Sequence, residues 1–238
     1  MTDRSAGIKR LQEALNEQGA KLTVDGDYGP KTEAVTLDAI GIMAEPGQGK
    51  SEETVQMPSG SFLGAPWVFA NIDLLGRHET DPELNARYVP EWAKEGLPGY
   101  KTLSGNSFAW CSVRENADKR KVGVKGTNSA GAASWSKWGK QCPFWFGATL
   151  DIKHASGGRH VGNFLYWIDD KRRIAAVYGG NQGNRLSIAS TTLAPGHDTL
   201  VTGPRWPTDF PDGRVYTMAE VLKLYPYLKV GGSMGSTT

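Results

Sequence analysis

Three residue types fall in this chain where they could form a nucleophile, its base and the group that orients the base. Cys111 lies in Asn106-Ser107-Phe108-Ala109-Trp110-Cys111-Ser112-Val113-Arg114, where a loop enters a predicted helix. A thiol there meets unpaired backbone N–H groups and the positive end of the helix dipole, and both favour the thiolate. A lone cysteine can equally be a buried structural residue, so the reading depends on a partner. That partner is His160, in Gly157-Gly158-Arg159-His160-Val161-Gly162, at the start of a predicted strand. A cysteine hydrolase needs a base near the sulfur, and the base needs a third group to fix its tautomer and ring orientation.

Antiparallel pairing identifies the third group. If Asp169-Asp170-Lys171 turns the chain, pairing outward from that turn sets His160 opposite Gly180 or Asn181. The Asn181 amide oxygen could then accept the second imidazole N–H. Taken alone, Tyr178-Gly179-Gly180-Asn181-Gln182-Gly183-Asn184 also reads as a plain turn.

These residues must be positioned by a scaffold, and the patterning predicts one. Helical pieces are expected at Trp67–Leu75, after Phe108 and around Ala130–Trp138. Strands are expected at Gly147–Ile152, His160–Ile168, Arg173–Tyr178 and Arg185–Ser190. Helices followed by strands predict an α+β fold with an antiparallel sheet. The many aromatic residues after Pro66 are expected to form a core, with a sugar-stacking groove as the alternative.

Upstream, Ile8, Leu11 and Leu15 recur at helical spacing, and Thr23-Val24-Asp25-Gly26-Asp27-Tyr28-Gly29-Pro30 forms a turn leading to a second helix that starts at Pro30. The Gly-, Pro-, Ser- and charge-rich stretch that follows has no periodicity and reads as a linker. The expected organisation is a small helical module over residues 1–43, a linker over 44–61 and a larger domain over 62–238.

Composition narrows the function classes. A net charge of +2 is too weak to argue for nucleic acid. No apolar run approaches the roughly 18 residues of a membrane span, so no membrane insertion is expected. The N-terminus carries no pattern of a signal peptide. With only Cys111 and Cys142 present, a disulfide framework is not available, and Cys142 lies away from any base motif. A metal amidase built from His154, His160, His197 and Asp198 lacks a recognisable ligand spacing and leaves Cys111 unexplained, so neither a metal nor another cofactor is expected.

Trp110-Cys111, Gly126-Thr127-Asn128-Ser129-Ala130, Ser134-Trp135-Ser136-Lys137-Trp138-Gly139, His160-Val161-Gly162 and Gly179-Gly180-Asn181-Gln182, taken in that order, resemble the CHAP-type branch of the NlpC/P60-like amidohydrolases. The resemblance covers roughly residues 66–207. It implies a papain-like α+β fold and cleavage of peptidoglycan stem-peptide or amide bonds, with Cys111 as nucleophile, His160 as base and Asn181 as third member. Glu79 also matches a motif position, without an evident role and expected as a surface carboxylate, and Gln182 is carried as a candidate substrate contact.

Ile8 to Leu15 followed by Val24-Asp25-Gly26-Asp27-Tyr28-Gly29-Pro30-Lys31-Thr32 resembles the helical peptidoglycan-binding domain of wall hydrolases, with Asp27 and Tyr28 as candidate wall contacts. After Val35 the chain departs from that pattern. The combined expectation is a phage-type endolysin: a monomer made in the host cytoplasm, released to the cell wall, with bacterial peptidoglycan as its partner. A non-catalytic wall-binding or virion structural protein with a degenerate hydrolase fold is the alternative.

Overall fold

The structure, a computed structural model, describes residues 63–95, 101–104 and 109–233, together with Lys9, Gln12, Glu13, Asn16, residues 21–26 and Thr32. The predicted linker and the candidate wall contacts Asp27 and Tyr28 lie outside the described residues. Within the upstream module the Gln12 amide ties the turn together. Its Nε2 donates to Asp25 Oδ1 at 2.8 Å and Thr32 Oγ1 at 3.1 Å, and its Oε1 accepts from the Gly26 N–H at 2.9 Å. Gly26 takes a positive φ of 79°, a conformation that favours glycine. These contacts give the Asp-Gly and Thr positions of the motif a structural role.

The larger region mixes helices with a mostly antiparallel sheet, an α+β arrangement. Its helices are α1 (Pro82–Lys94), α2 (Cys111–Lys121) and α3 (Met218–Leu224). Its strands are β1 (Lys140–Gln141), β2 (Thr149–Lys153), β3 (Arg159–Asp169), β4 (Ile174–Gly179), β5 (Ser187–Thr192), β6 (Thr199–Leu200), β7 (Arg205–Trp206) and β8 (Gly232–Ser233). The sheet runs β1-β7-β2-β3-β4-β5-β8, with β6 pairing the free part of the β2 edge. Every pair is antiparallel except β5 with β8. A bridge between Leu193 and Asp198 draws the end of β5 toward the start of β6.

The predicted strands are present with ends moved by a residue or two. The helix expected over Trp67–Leu75 is instead two short 3-10 turns, Pro66–Val68 and Ile72–Leu74, and the third is a 3-10 helix over Ala132–Lys137. Helix α1 begins on an Asp81 cap, whose carboxylate accepts from the N–H groups of Glu83 and Leu84. Helix α3 begins on a capping box of Thr217 and Glu220. Trp67, Trp92, Trp110, Trp135 and Trp206 are all buried, so the aromatic-rich segment forms core. Trp67 packs edge-on against Trp206 at 4.9 Å. Among the described residues no helix is long and apolar enough to cross a membrane.

Candidate active site

Cys111 is the first residue of α2, behind Trp110 at the cap position, which supplies no side-chain cap. The backbone N–H groups of Val161, Ser112 and Cys111 itself act on its sulfur to favour the thiolate, although none makes one of the described hydrogen bonds to it. The first of these is available because β4 stops short. Phe164 donates to Ala148 on the β2 side, so by alternation the N–H groups of Asn163 and Val161 face β4. Asn163 is paired with Tyr178, but β4 ends at Gly179, one residue before a partner for Val161. The sulfur takes the place that the missing strand would have filled.

Burial opposes what these N–H groups do. Cys111 is 1% exposed, and desolvation outweighs the three donors, with Glu115 adding a like charge. The thiol is pushed up to about 11. It therefore rests as a protonated thiol, whereas the helix dipole alone would have favoured the thiolate.

His160 is 1% exposed and is pushed down to about 3, first by burial and then by its neighbours His154 and Arg114. Its ring lies on the sheet face opposite to α2. Asn163 marks the α2 face, since it bonds Arg114 and Glu115, and Val161 packs with Cys111 and Trp135. Side chains alternate along a strand, so His160 and Gly162 face the other way. None of the described hydrogen bonds joins Cys111 to His160. The sulfur and the imidazole instead flank one peptide unit, that between His160 and Val161.

Gly179 makes room for the ring, since a Cβ there would stand 2.8 Å from His160 Nε2, whereas a Cβ on Gly162 would crowd Tyr178 O and Val177 at 2.8 Å rather than the imidazole. The chain matches no protein-family model, no curated protein and no solved structure. The site's own geometry must carry the functional reading.

The Asn181-Gln182 turn lies where the β3–β4 hairpin was predicted to deliver a third group. Asn181 is buried with a φ of 61°, and none of the described hydrogen bonds joins it to His160. Gln182 crowds the same point as the imidazole, with its Nε2 2.2 Å from where a Gly179 Cβ would be. That amide nitrogen donates to Val177 O at 3.3 Å and Ser187 O at 3.4 Å, which leaves Oε1 buried without a partner. Glu79 is buried too and accepts from the Trp110 indole N–H at 3.3 Å, so it braces the residue before Cys111. Cys142 is buried, which pushes its thiol up to about 12, as for an inert core residue.

One group of residues escaped the sequence reading, and a second was weighed there only as metal ligands. Arg114, Glu115, Asp118 and Lys119 are all fully buried on α2, although a run of charges normally faces solvent. Arg114 is the hub: Nε donates to Asp118 at 2.7 Å, and Nη1 donates to Glu115 and Asn163 at 2.8 Å each. Its guanidinium also stacks 4.0 Å from the Tyr178 ring. Burial works to raise the Glu115 carboxyl, but Lys119 and Arg114 overcome it and hold it below its ordinary range. The second group is His154 with Asp198 and Thr191, on the His160 side of the sheet. Among the described residues no three His, Cys, Asp or Glu side chains are grouped to hold a metal ion.

Proposed function

We propose that the chain is a peptidoglycan hydrolase of the papain-like, CHAP-type kind, cutting an amide bond of the wall stem peptide through Cys111. The observation that carries this reading is the convergence of the Cys111, Ser112 and Val161 N–H groups on one sulfur, with His160 on the residue next to Val161. Such donors stabilise the thiolate when it forms, and afterwards the negative oxygen of a tetrahedral intermediate.

In the first step the thiol proton passes around the His160–Val161 peptide to the His160 imidazole, across one water, as the sulfur attacks the carbonyl carbon. The C–N bond then breaks, and the departing amine leaves with that proton. Water hydrolyses the resulting thioester with His160 again as base. The third member comes from the Asn181-Gln182 turn: Asn181 is the residue expected from hairpin pairing, and Gln182 brings an unpartnered buried oxygen to the same corner. Wall contact through residues 1–43, with Asp27 and Tyr28 as its candidates, would raise the local concentration of the enzyme on an insoluble substrate. Action at the wall follows release from the host cytoplasm.

A second reading has one observation in its favour. The thiol and the imidazole are both buried, neutral and not bonded to each other, as they would be in a wall-binding or virion protein with a degenerate hydrolase fold. Mass spectrometry of purified sacculi digested with the full-length protein separates the two. Hydrolysis yields fragments gaining one water at a defined peptide or amide bond, whereas the non-catalytic protein yields none.

A further inference from the structure

His154 has no part in the reaction written above, yet its surroundings are as specific as those of His160. It follows β2 directly and is 4% exposed. Its Nδ1 lies 3.0 Å from Asp198 Oδ2, and since an ionised carboxylate only accepts, that nitrogen carries the proton. Asp198 is itself held, by the Thr191 hydroxyl at 2.8 Å and the Ala155 N–H at 3.0 Å. Nδ1 is thereby engaged as the donor to Asp198, and Nε2 is left buried and without a partner.

The sheet brings this nitrogen close to the proposed base. Ile152 pairs with His160, so His154, two residues beyond Ile152, shares a face with His160. The two ring centroids are 6.0 Å apart with the planes tilted by 35°. The groups that act on His160 are His154 from the end of β2, Asp198 from the start of β6, and Arg114 and Glu115 from α2.

We propose, on the cysteine-hydrolase reading above, that Asp198 and His154 form a positioning and proton-accepting pair behind His160. As one nitrogen of His160 takes the Cys111 proton, the proton on its other nitrogen passes to His154 Nε2, directly or across one water. Asp198 then balances the charge on His154, and His160 stays neutral with its tautomer reversed. The protons return by the same route when the amine departs. The pair answers an energetic problem of the site, because a thiol near 11 gives its proton to an isolated imidazole near 3 only at great cost.

The test needs no wall substrate. In full-length protein carrying Cys142→Ser, Cys111 is the single thiol, and its alkylation by iodoacetamide is followed by intact mass from pH 6 to 11. His160→Gln and His154→Gln should each slow alkylation at pH 7 by about tenfold or more, with smaller differences near pH 11, where the thiol ionises unaided. Asp198→Asn, which keeps the side-chain shape, should slow it in the same pH-dependent way and covers the case in which His154→Gln fails to fold. Merely structural damage would change the rate equally at every pH, and would overturn the relay. If His160→Gln slows alkylation while His154→Gln and Asp198→Asn do not, the relay is wrong and the Cys111–His160 reading stands. If His160→Gln has no effect either, that reading falls, and the relay with it.

Discussion

The N–H of Val161 acts on the sulfur of Cys111 from the place where β4 stops pairing with β3. Strand termination thus leaves the sulfur its place, and Gly179 leaves the His160 ring its own. Substitutions at these positions test the arrangement without touching a reacting group.

Gly179→Ala places a methyl 2.8 Å from His160 Nε2 and 2.2 Å from Gln182 Nε2, so the ring and the amide must both move. Gly179 does not need a left-handed backbone, and the fold should survive. We expect hydrolysis of sacculi to fall at least tenfold, with circular dichroism and thermal midpoint near wild type. Full activity in Gly179→Ala would show that the position of the imidazole is unimportant.

The turn that follows is tested by a pair of variants. Asn181→Gly keeps access to the positive φ and removes only the amide, and Gln182→Leu removes the unpartnered oxygen. The variant that removes the orienting group should lose on the order of 10- to 1,000-fold in kcat with little change in KM. The assay assigns the third member to one residue. Wild-type kinetics in both variants would remove the turn from the mechanism.

The hairpin's register at its far end was legible in the sequence, but its turn was not: β3 runs through Asp169, the chain turns over residues 170–173, and two register shifts, between Phe164 and Tyr166 and between Trp167 and Asp169, restore the expected pairing. Asn163 does pair with Tyr178, the rung that carries residue 160 toward residue 181. His154 was weighed only as a metal ligand, although strand alternation could have placed it beside His160, since it falls two residues beyond the partner of His160. The closure that brings in Asp198 was not legible, because β6 is only two residues long and reaches β2 from far along the chain. The buried charges of α2 were hidden for another reason. Arg114, Glu115, Asp118 and Lys119 satisfy one another within a single helix, and no periodic pattern distinguishes that from a solvated face. Burial also reversed the expectation for Cys111, whose sequence setting shows the helix start but not the walls around the sulfur.

Arg114 joins two carboxylates, Asn163 and the Tyr178 ring in the interior. Arg114→Ala leaves Glu115 with Lys119 alone and leaves Asp118 without a cation. The expected cost is about 3–5 kcal/mol, read as a lower midpoint in urea unfolding. A loss under about 1 kcal/mol would mean that water reaches and solvates the freed carboxylates.

His160 also sets a pH dependence of stability. Its folded value of about 3 lies below the ordinary 6.5, so between those pH values the unfolded chain holds a proton that the folded chain does not. Stability contributed by keeping this ring neutral is present above about pH 6.5 and is lost progressively as the pH falls toward 3. The full effect is on the order of 5 kcal/mol. Denaturant unfolding at pH 7 and pH 4.5 should show a smaller drop in His160→Gln than in wild type. An identical drop would place the acid sensitivity elsewhere.

Cys111 is the nucleophile on which the proposed chemistry depends, and one comparison tests it most directly. Purified sacculi are incubated with full-length wild-type protein and with Cys111→Ala, and newly exposed amino groups are quantified over time. Cys111→Ala should release none above background while retaining its circular dichroism spectrum and its sedimentation with sacculi, and the wild type should release them steadily. A well-folded Cys111→Ala protein that releases amino groups at the wild-type rate, or a wild type that releases none, would contradict cysteine-dependent hydrolysis of the wall.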